Sequence, residues 1–170
     1  IRVGRQVKGC AKKVLPWIID QETKTVKHTL LISPPKCGKT TLLTDIIRQL
    51  SCGIPELSFP GVNVGVVDER SELAGCYLGV PQKDIGPRSD ILDRCPKAEG
   101  MYMLVRAMSP QVIATDEIGR PEDVAAVQEV LNAGIKLITS VHGSGVTDIK
   151  RRPVLKEIMA MQLFERLIVL

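Results

Sequence analysis

The segment Ser33-Pro-Pro-Lys-Cys-Gly-Lys-Thr-Thr41 constrains this chain more than any other. It follows the apolar run Thr29-Leu-Leu-Ile32 and precedes Leu42-Leu-Thr-Asp-Ile-Ile47, whose apolar spacing is helical. A strand, a tight loop ending Gly-Lys-Thr and then a helix is the setting of a phosphate-binding loop. Such a loop turns backbone N–H groups, backed by a helix N-terminus, toward anionic oxygens. The pattern predicts a nucleoside triphosphate site lined by Pro35, Lys36, Cys37, Gly38, Lys39, Thr40 and Thr41. Lys39 would offset the charge of the β- and γ-phosphates, and the Thr40 hydroxyl would meet Mg²⁺. Two positions depart from the usual loop. Ser33 replaces its first glycine. Lys36 stands where a small residue is common, so it either takes a strained backbone angle or changes how closely the loop wraps phosphate.

Three further apolar runs end in a group able to do chemistry. Residues 62–67 form a strand ending at Asp68-Glu69, residues 111–115 one ending at Asp116-Glu117, and residues 135–141 one ending at His142. Helices are expected at 39–50, 97–108, 121–133 and 153–162, and a last strand at 164–170. Strands alternating with helices predict an α/β fold with a mostly parallel, doubly wound sheet. The carboxyl ends of parallel strands share one edge, where ligands bind. All four groups can therefore meet around one nucleotide.

Roles follow from residue type. Asp116 ends a buried strand and is placed to hold the metal, while Glu117 polarises the attacking water. Asp68 and Glu69 are candidates for orienting water or the metal's outer shell. His142 is a candidate sensor of the γ-phosphate. Arg70, Arg88, Arg94, Arg106 and Arg120 are candidates for charge stabilisation, within the chain or across a subunit boundary, with Arg106 and Arg120 foremost.

The 170 residues suffice for one domain with a core. The chain opens on Ile1 rather than Met and closes on an apolar run, so it is expected to be a piece of a longer protein. Its five cysteines are odd in number and lack CxxC spacing, which suggests neither a disulfide framework nor zinc. Reduced cytosolic thiols fit best. No apolar run approaches the roughly 18 residues of a membrane span. Residues 2–19 read as an amphipathic helix with a basic face, disturbed near Pro16, and residues 71–96 as a long loop with scraps of helix. The net charge of +4 gathers partly at Arg2, Arg5, Lys8, Lys12 and Lys13 and at Lys150-Arg-Arg152. Such a face is either simply solvated or turned to nucleic acid, anionic lipid or an acidic partner. Aromatic content of 3% leaves little for a base-stacking platform.

Several motifs together resemble the stage III sporulation protein AA family: Ser33–Thr41, Val64-Gly-Val-Val-Asp-Glu-Arg-Ser-Glu72, Arg94-Cys-Pro-Lys97, Asp116-Glu-Ile-Gly119 and Ser140-Val-His-Gly143. That family in turn resembles the ATPases of type II and type IV secretion and pilus systems. The resemblance runs from about residue 1 to residue 170 and implies a RecA-like core that binds ATP and Mg²⁺ and hydrolyses ATP. It implies that Asp68-Glu69 is the acidic box, Asp116-Glu117 the end of Walker B and His142 the histidine box. It further implies a homo-oligomeric ring, a hexamer, docked to membrane-embedded parts of a sporulation channel. The location implied is cytoplasmic, on the mother-cell side, with no specific nucleic acid as partner. Lys36, Thr115 and Gln111 depart from the family pattern. Two alternatives stay open: a nucleic-acid-associated ATPase, and an ATP-gated structural module with little turnover.

Overall fold

Alternate residues of the central strands enter different cores, and this alternation sets the layers. The computed structural model describes residues 6–170. Its strands are β1 (Thr29–Ser33), β2 (Val64–Asp68), β3 (Ser89–Asp93), β4 (Val112–Thr115), β5 (Lys136–His142) and β6 (Arg166–Val169). They pair in the order β3-β2-β4-β5-β1-β6, every pair parallel. Leu31, Val64, Val66, Val112, Ala114 and Ile138 face one core with helix α2 (Lys39–Cys52) and α1 (Leu15–Ile18). Val67, Ile113 and Leu137 face the other, beneath α3 (Lys97–Ala107) and α4 (Pro121–Asn132). Leu30, Ile32 and Val141 pack with α5 (Val146–Ile149) and α6 (Pro153–Ala160). A side-chain period of two buries both faces of such a sheet, as a parallel sheet requires. The expected doubly wound α/β architecture is the one observed.

Two expectations fail for identifiable reasons. Residues 71–96 are not all loop, because Ser89–Asp93 forms the edge strand β3. An edge strand needs little apolar burial, and here only Ile91 and Leu92 are apolar. The amphipathic helix over 2–19 does not form across its described part. Residues 8–14 are turns and only Leu15–Ile18 is helical. Gly9 adopts φ +86°, in the left-handed region, and Pro16 removes an N–H that a continuous helix would need. Arg2, Arg5 and the start of that segment lie outside the described residues. Ala11, Leu15 and Ile18 still bury, and the Ala11 N–H donates to Asp45 Oδ2 at 2.9 Å, fixing the segment on α2.

Helix α3 lies unusually close to β2. A Cβ built on Gly100 would stand 2.5 Å from Val67 Cγ1. That approach draws the first turn of α3, with Lys97, over the end of β2. Between these elements a small turn, Tyr77 to Val80, holds Tyr77, Leu78 and Val80 out to solvent. Gly100→Ala should lower stability by about 1–3 kcal/mol through overpacking. Adding Val67→Ala should recover part of that loss in denaturant titrations. Stability unchanged in Gly100→Ala would mean that the helix has room to spare.

Candidate active site

The candidate phosphate loop starts where β1 ends. Ser33, the last residue of β1, is buried and pairs in register with His142 of β5, and the Gly143 N–H donates to Ser33 O at 3.0 Å. Lys36 and Gly38 take φ of +66° and +81°. Of the two outcomes expected at Lys36, the strained backbone is the one found. A residue with a Cβ costs about 1–2 kcal/mol in that region. Gly38 suits it, and the loop turns there directly into α2 with Lys39 as first residue.

Lys39 is buried, and its Nζ lies 2.9 Å from His142 Nδ1. Burial pushes its ammonium below the usual lysine value, while Glu117 and Asp116 pull it back up. An ammonium can only donate, so Nδ1 of His142 is the acceptor and the ring proton sits on Nε2. His142 Nε2 then donates to Glu117 Oε1. The second Glu117 oxygen meets Arg70 Nη1 at 2.8 Å. Lys39, His142, Glu117 and Arg70 thus form one chain of contacts over the carboxyl edge.

Glu117 reaches His142 because the backbone bends after β4. Its φ is +41°, and its N–H donates to Ser140 Oγ of β5 at 3.1 Å. Thr115, odd in an apolar strand, satisfies its hydroxyl on Val67 O at 3.1 Å. Gln111, the other departure near this strand, accepts the Asn63 N–H through Oε1 at 2.9 Å. Neither substitution disturbs the strand.

Asp116 is 3% exposed, and its Oδ1 has no hydrogen-bond partner. Burial pushes its carboxyl up to about 6, although Lys97 opposes the shift. Among the described residues no group of three or more His, Cys, Asp or Glu gathers into a metal site. Mg²⁺ typically takes only one or two protein carboxylates and fills its shell with water and phosphate. A buried carboxylate with an open oxygen fits that ion, and Thr40 in the first turn of α2 is the hydroxyl that the loop pattern offers with it.

Not every expected group is free to act. Both oxygens of Asp68 are taken by backbone N–H groups, Glu72 at 2.8 Å, Leu73 at 3.0 Å and Ala74 at 2.8 Å. Asp68 anchors the following loop, and its oxygens are spent on that task rather than on water. Glu69 bonds Lys97 Nζ at 2.5 Å and Arg120 Nη1 at 3.1 Å. Burial opposes its ionisation, but Lys97, with Arg120, outweighs it and holds the carboxyl below its usual range. Arg106 is not brought to this edge. It sits exposed near the C-terminus of α3, about 13 Å along the helix from Lys97. Arg88 donates to Ser51 O behind α2, and Arg94 is exposed beside Asp93. Of the five arginines expected there, Arg70 and Arg120 are the ones at the site. Sequence reasoning missed Lys97 as a site residue, though Arg94-Cys-Pro-Lys97 before a helix was the available signal. It also missed Arg152, which donates to His142 O and to Asp148 Oδ2, both at 2.8 Å. A cavity of about 290 Å³ opens between Glu117, Gly119, His142 and the start of α6 at Pro153.

Residues 1–170 match the family described as Sporulation stage III, protein AA. The chain belongs to that family. Stage III sporulation protein AA of Bacillus subtilis (strain 168) is 46% identical over 166 residues, which are 98% of this chain and 52% of that protein. The chain thus spans about half the length of this relative. The ATPase DotB of Legionella pneumophila superposes with a TM-score of 0.61 at 22% identity, over 86% of this chain and 38% of its own. The pilus retraction motor PilT with bound ADP gives 0.58 at 14% identity, over 98% and 48%. At such identities the likeness speaks for the fold, which is that of RecA-like secretion ATPases.

In this sporulation-family domain the state of Asp116 makes stability depend on pH. Its folded value lies above its ordinary value of 3.8, so its contribution favours the fold at acid pH and is lost as pH rises through about 6. Asp116→Asn should therefore be more stable than wild type at pH 7.5, by on the order of 2 kcal/mol, with the gain shrinking toward pH 4. Urea titrations at the two pH values test this. An equal difference at both would show that Asp116 is not held against its charge.

Proposed function

We propose that this domain binds ATP with Mg²⁺ at the loop between β1 and α2 and hydrolyses it, as the motor part of a secretion-type complex in sporulation. The observation that carries this is the contact chain Lys39–His142–Glu117–Arg70, with the open oxygen of Asp116 beside it. Thr40 and Asp116 would hold the cation, which supplies neutralising charge to the phosphates.

The residues divide the work by position. Lys39 would turn from His142 toward phosphate oxygen, because an anionic oxygen is a stronger acceptor for an ammonium than a neutral ring nitrogen. Glu117, held at both oxygens, orients water and takes its proton as the water oxygen bonds the γ-phosphorus and the bond to ADP breaks. Arg70 steadies Glu117 and lends positive charge to that edge. His142 links the phosphate loop to the base. It is therefore placed to feel the arrival and loss of the γ-phosphate through Lys39. Arg152 carries that state to α6 through His142 O.

The same proposal makes the domain one subunit of a homo-oligomeric ring, a hexamer, on the cytoplasmic mother-cell side of a membrane channel. Family membership and the fold shared with DotB and PilT support it. Among the described residues no helix is long and apolar enough to cross a membrane. Nucleic acid is disfavoured as a partner because an aromatic content of 3% leaves little to stack bases on, and Lys8 is paired with Asp84 at 2.6 Å.

An ATP-gated module of slow turnover is favoured by one feature. Both Glu117 oxygens are occupied and Lys39 rests on His142, so the site is closed on itself before nucleotide arrives.

Glu117→Gln should bind ATP as wild type does but release phosphate at least about 10²-fold more slowly. Lys39→Ala should lose ATP affinity in the same equilibrium binding assay. Wild-type turnover in Glu117→Gln would sink the assignment of the base. Light scattering with a nonhydrolysable ATP analogue should show assembly above the monomer mass. Assembly without any phosphate release from wild type would favour the gated module.

A further inference from the structure

Lys97 holds a position that charge neutralisation alone does not explain. It is the first residue of α3, follows Pro96, and is 4% exposed. A lysine so deeply placed needs anionic partners, because an unpaired buried ammonium costs several kcal/mol. Two carboxylates stand within reach. Glu69 Oε2 at the end of β2 is 2.5 Å from Nζ, and Asp116 Oδ1 at the end of β4 is 3.9 Å away. An ammonium has three N–H donors and could bond both. It bonds Glu69 and leaves Asp116 Oδ1 without a partner, although that oxygen is buried. A purely structural lysine would close both bonds.

The arrangement separates two properties of Asp116. The positive charge of Lys97 is near enough to act on the carboxylate, while the oxygen's lone pairs stay open. Glu69 makes this possible by holding the ammonium back, and Arg120 fixes Glu69 from its other oxygen. Gly100, one turn along α3, fixes the reach by letting the helix lie against Val67.

We propose that Lys97 is a positioning residue whose charge competes with the divalent cation at Asp116 and so sets how tightly that cation is held. The proposal rests on the assignment of Asp116 as the cation-holding carboxylate. A divalent ion held by Asp116 Oδ1 would meet the field of an ammonium that stands 3.9 Å from that oxygen. Repulsion at that distance keeps the ion exchangeable, and an ion held without opposition would leave slowly after each turnover.

The test measures Mn²⁺ binding to the protein with saturating ADP, from the free Mn²⁺ signal in electron paramagnetic resonance. Lys97→Met should bind Mn²⁺ at least about fivefold more tightly than wild type, the direction that relieved repulsion requires. Lys97→Arg keeps the charge and should stay within about twofold of wild type. Glu69→Gln frees the ammonium to swing onto Asp116 and should weaken Mn²⁺ binding. A structural lysine would weaken binding when lost, so the sign separates the two roles. Equal or weaker Mn²⁺ binding by folded Lys97→Met would overturn the proposal. Should that variant not fold, unchanged affinity in Glu69→Gln would overturn it instead. Wild-type protein that binds ADP but no Mn²⁺ would refute the assignment of Asp116, and this inference with it.

Discussion

The position of β5 between β1 and β4 is the constraint on which the site depends. The strand that carries the phosphate loop and the strand that carries Asp116 and Glu117 are not neighbours. β5 pairs with both, setting Ser33 opposite His142 on one side and Thr115 opposite Thr139 on the other. Had β1 and β4 paired directly, His142 could not stand between Lys39 and Glu117. The left-handed turn at Glu117 completes the arrangement, carrying its carboxylate across β5 through the bond to Ser140 Oγ. Strain of this kind persists only where surrounding bonds over-determine it.

Charge at this edge is arranged in pairs that differ in purpose. Asp68 accepts three backbone N–H bonds, with the Lys83 ammonium near it, and serves the loop after β2. Glu69 is clamped between Lys97 and Arg120, and Glu117 between His142 and Arg70. Of these four carboxylates, Asp116 is the one with a buried oxygen left open. Four carboxylates in one small region would repel one another, and the cations drawn from α2, α3 and the loops offset that repulsion. Three of them are clamped to shape, which leaves the fourth as the place where an added cation gains most.

Much of this was legible from residues alone. Strand ends could be read because a buried parallel strand must be apolar throughout and becomes polar only where it emerges. The edge strand β3 escaped notice because only one of its sides is paired and few of its side chains need to be apolar. The turns at 8–14 escaped it because their buried residues keep helical spacing, and Gly9 and Pro16 break the backbone without breaking the pattern. Arg106 shows a further limit. Its nearness to Asp116 in sequence says nothing of distance, because α3 runs from the carboxyl edge of the sheet to the opposite edge. The role of Asp68 was hidden because a side chain that accepts backbone N–H bonds looks, in sequence, like one that awaits a ligand.

The open oxygen of Asp116 has a consequence for the life of the molecule. A buried carboxylate held against its charge is a standing weakness of the empty fold at neutral pH. Any ligand that binds only the folded state repairs such a weakness by mass action, in proportion to its concentration over its dissociation constant. The persistence of this domain, and its resistance to proteolysis, would then rise and fall with the nucleotide and metal supply of its surroundings. With the proposed ligands bound, a fold of this kind would last longest where they are plentiful, and its abundance would become a slow gauge of their supply.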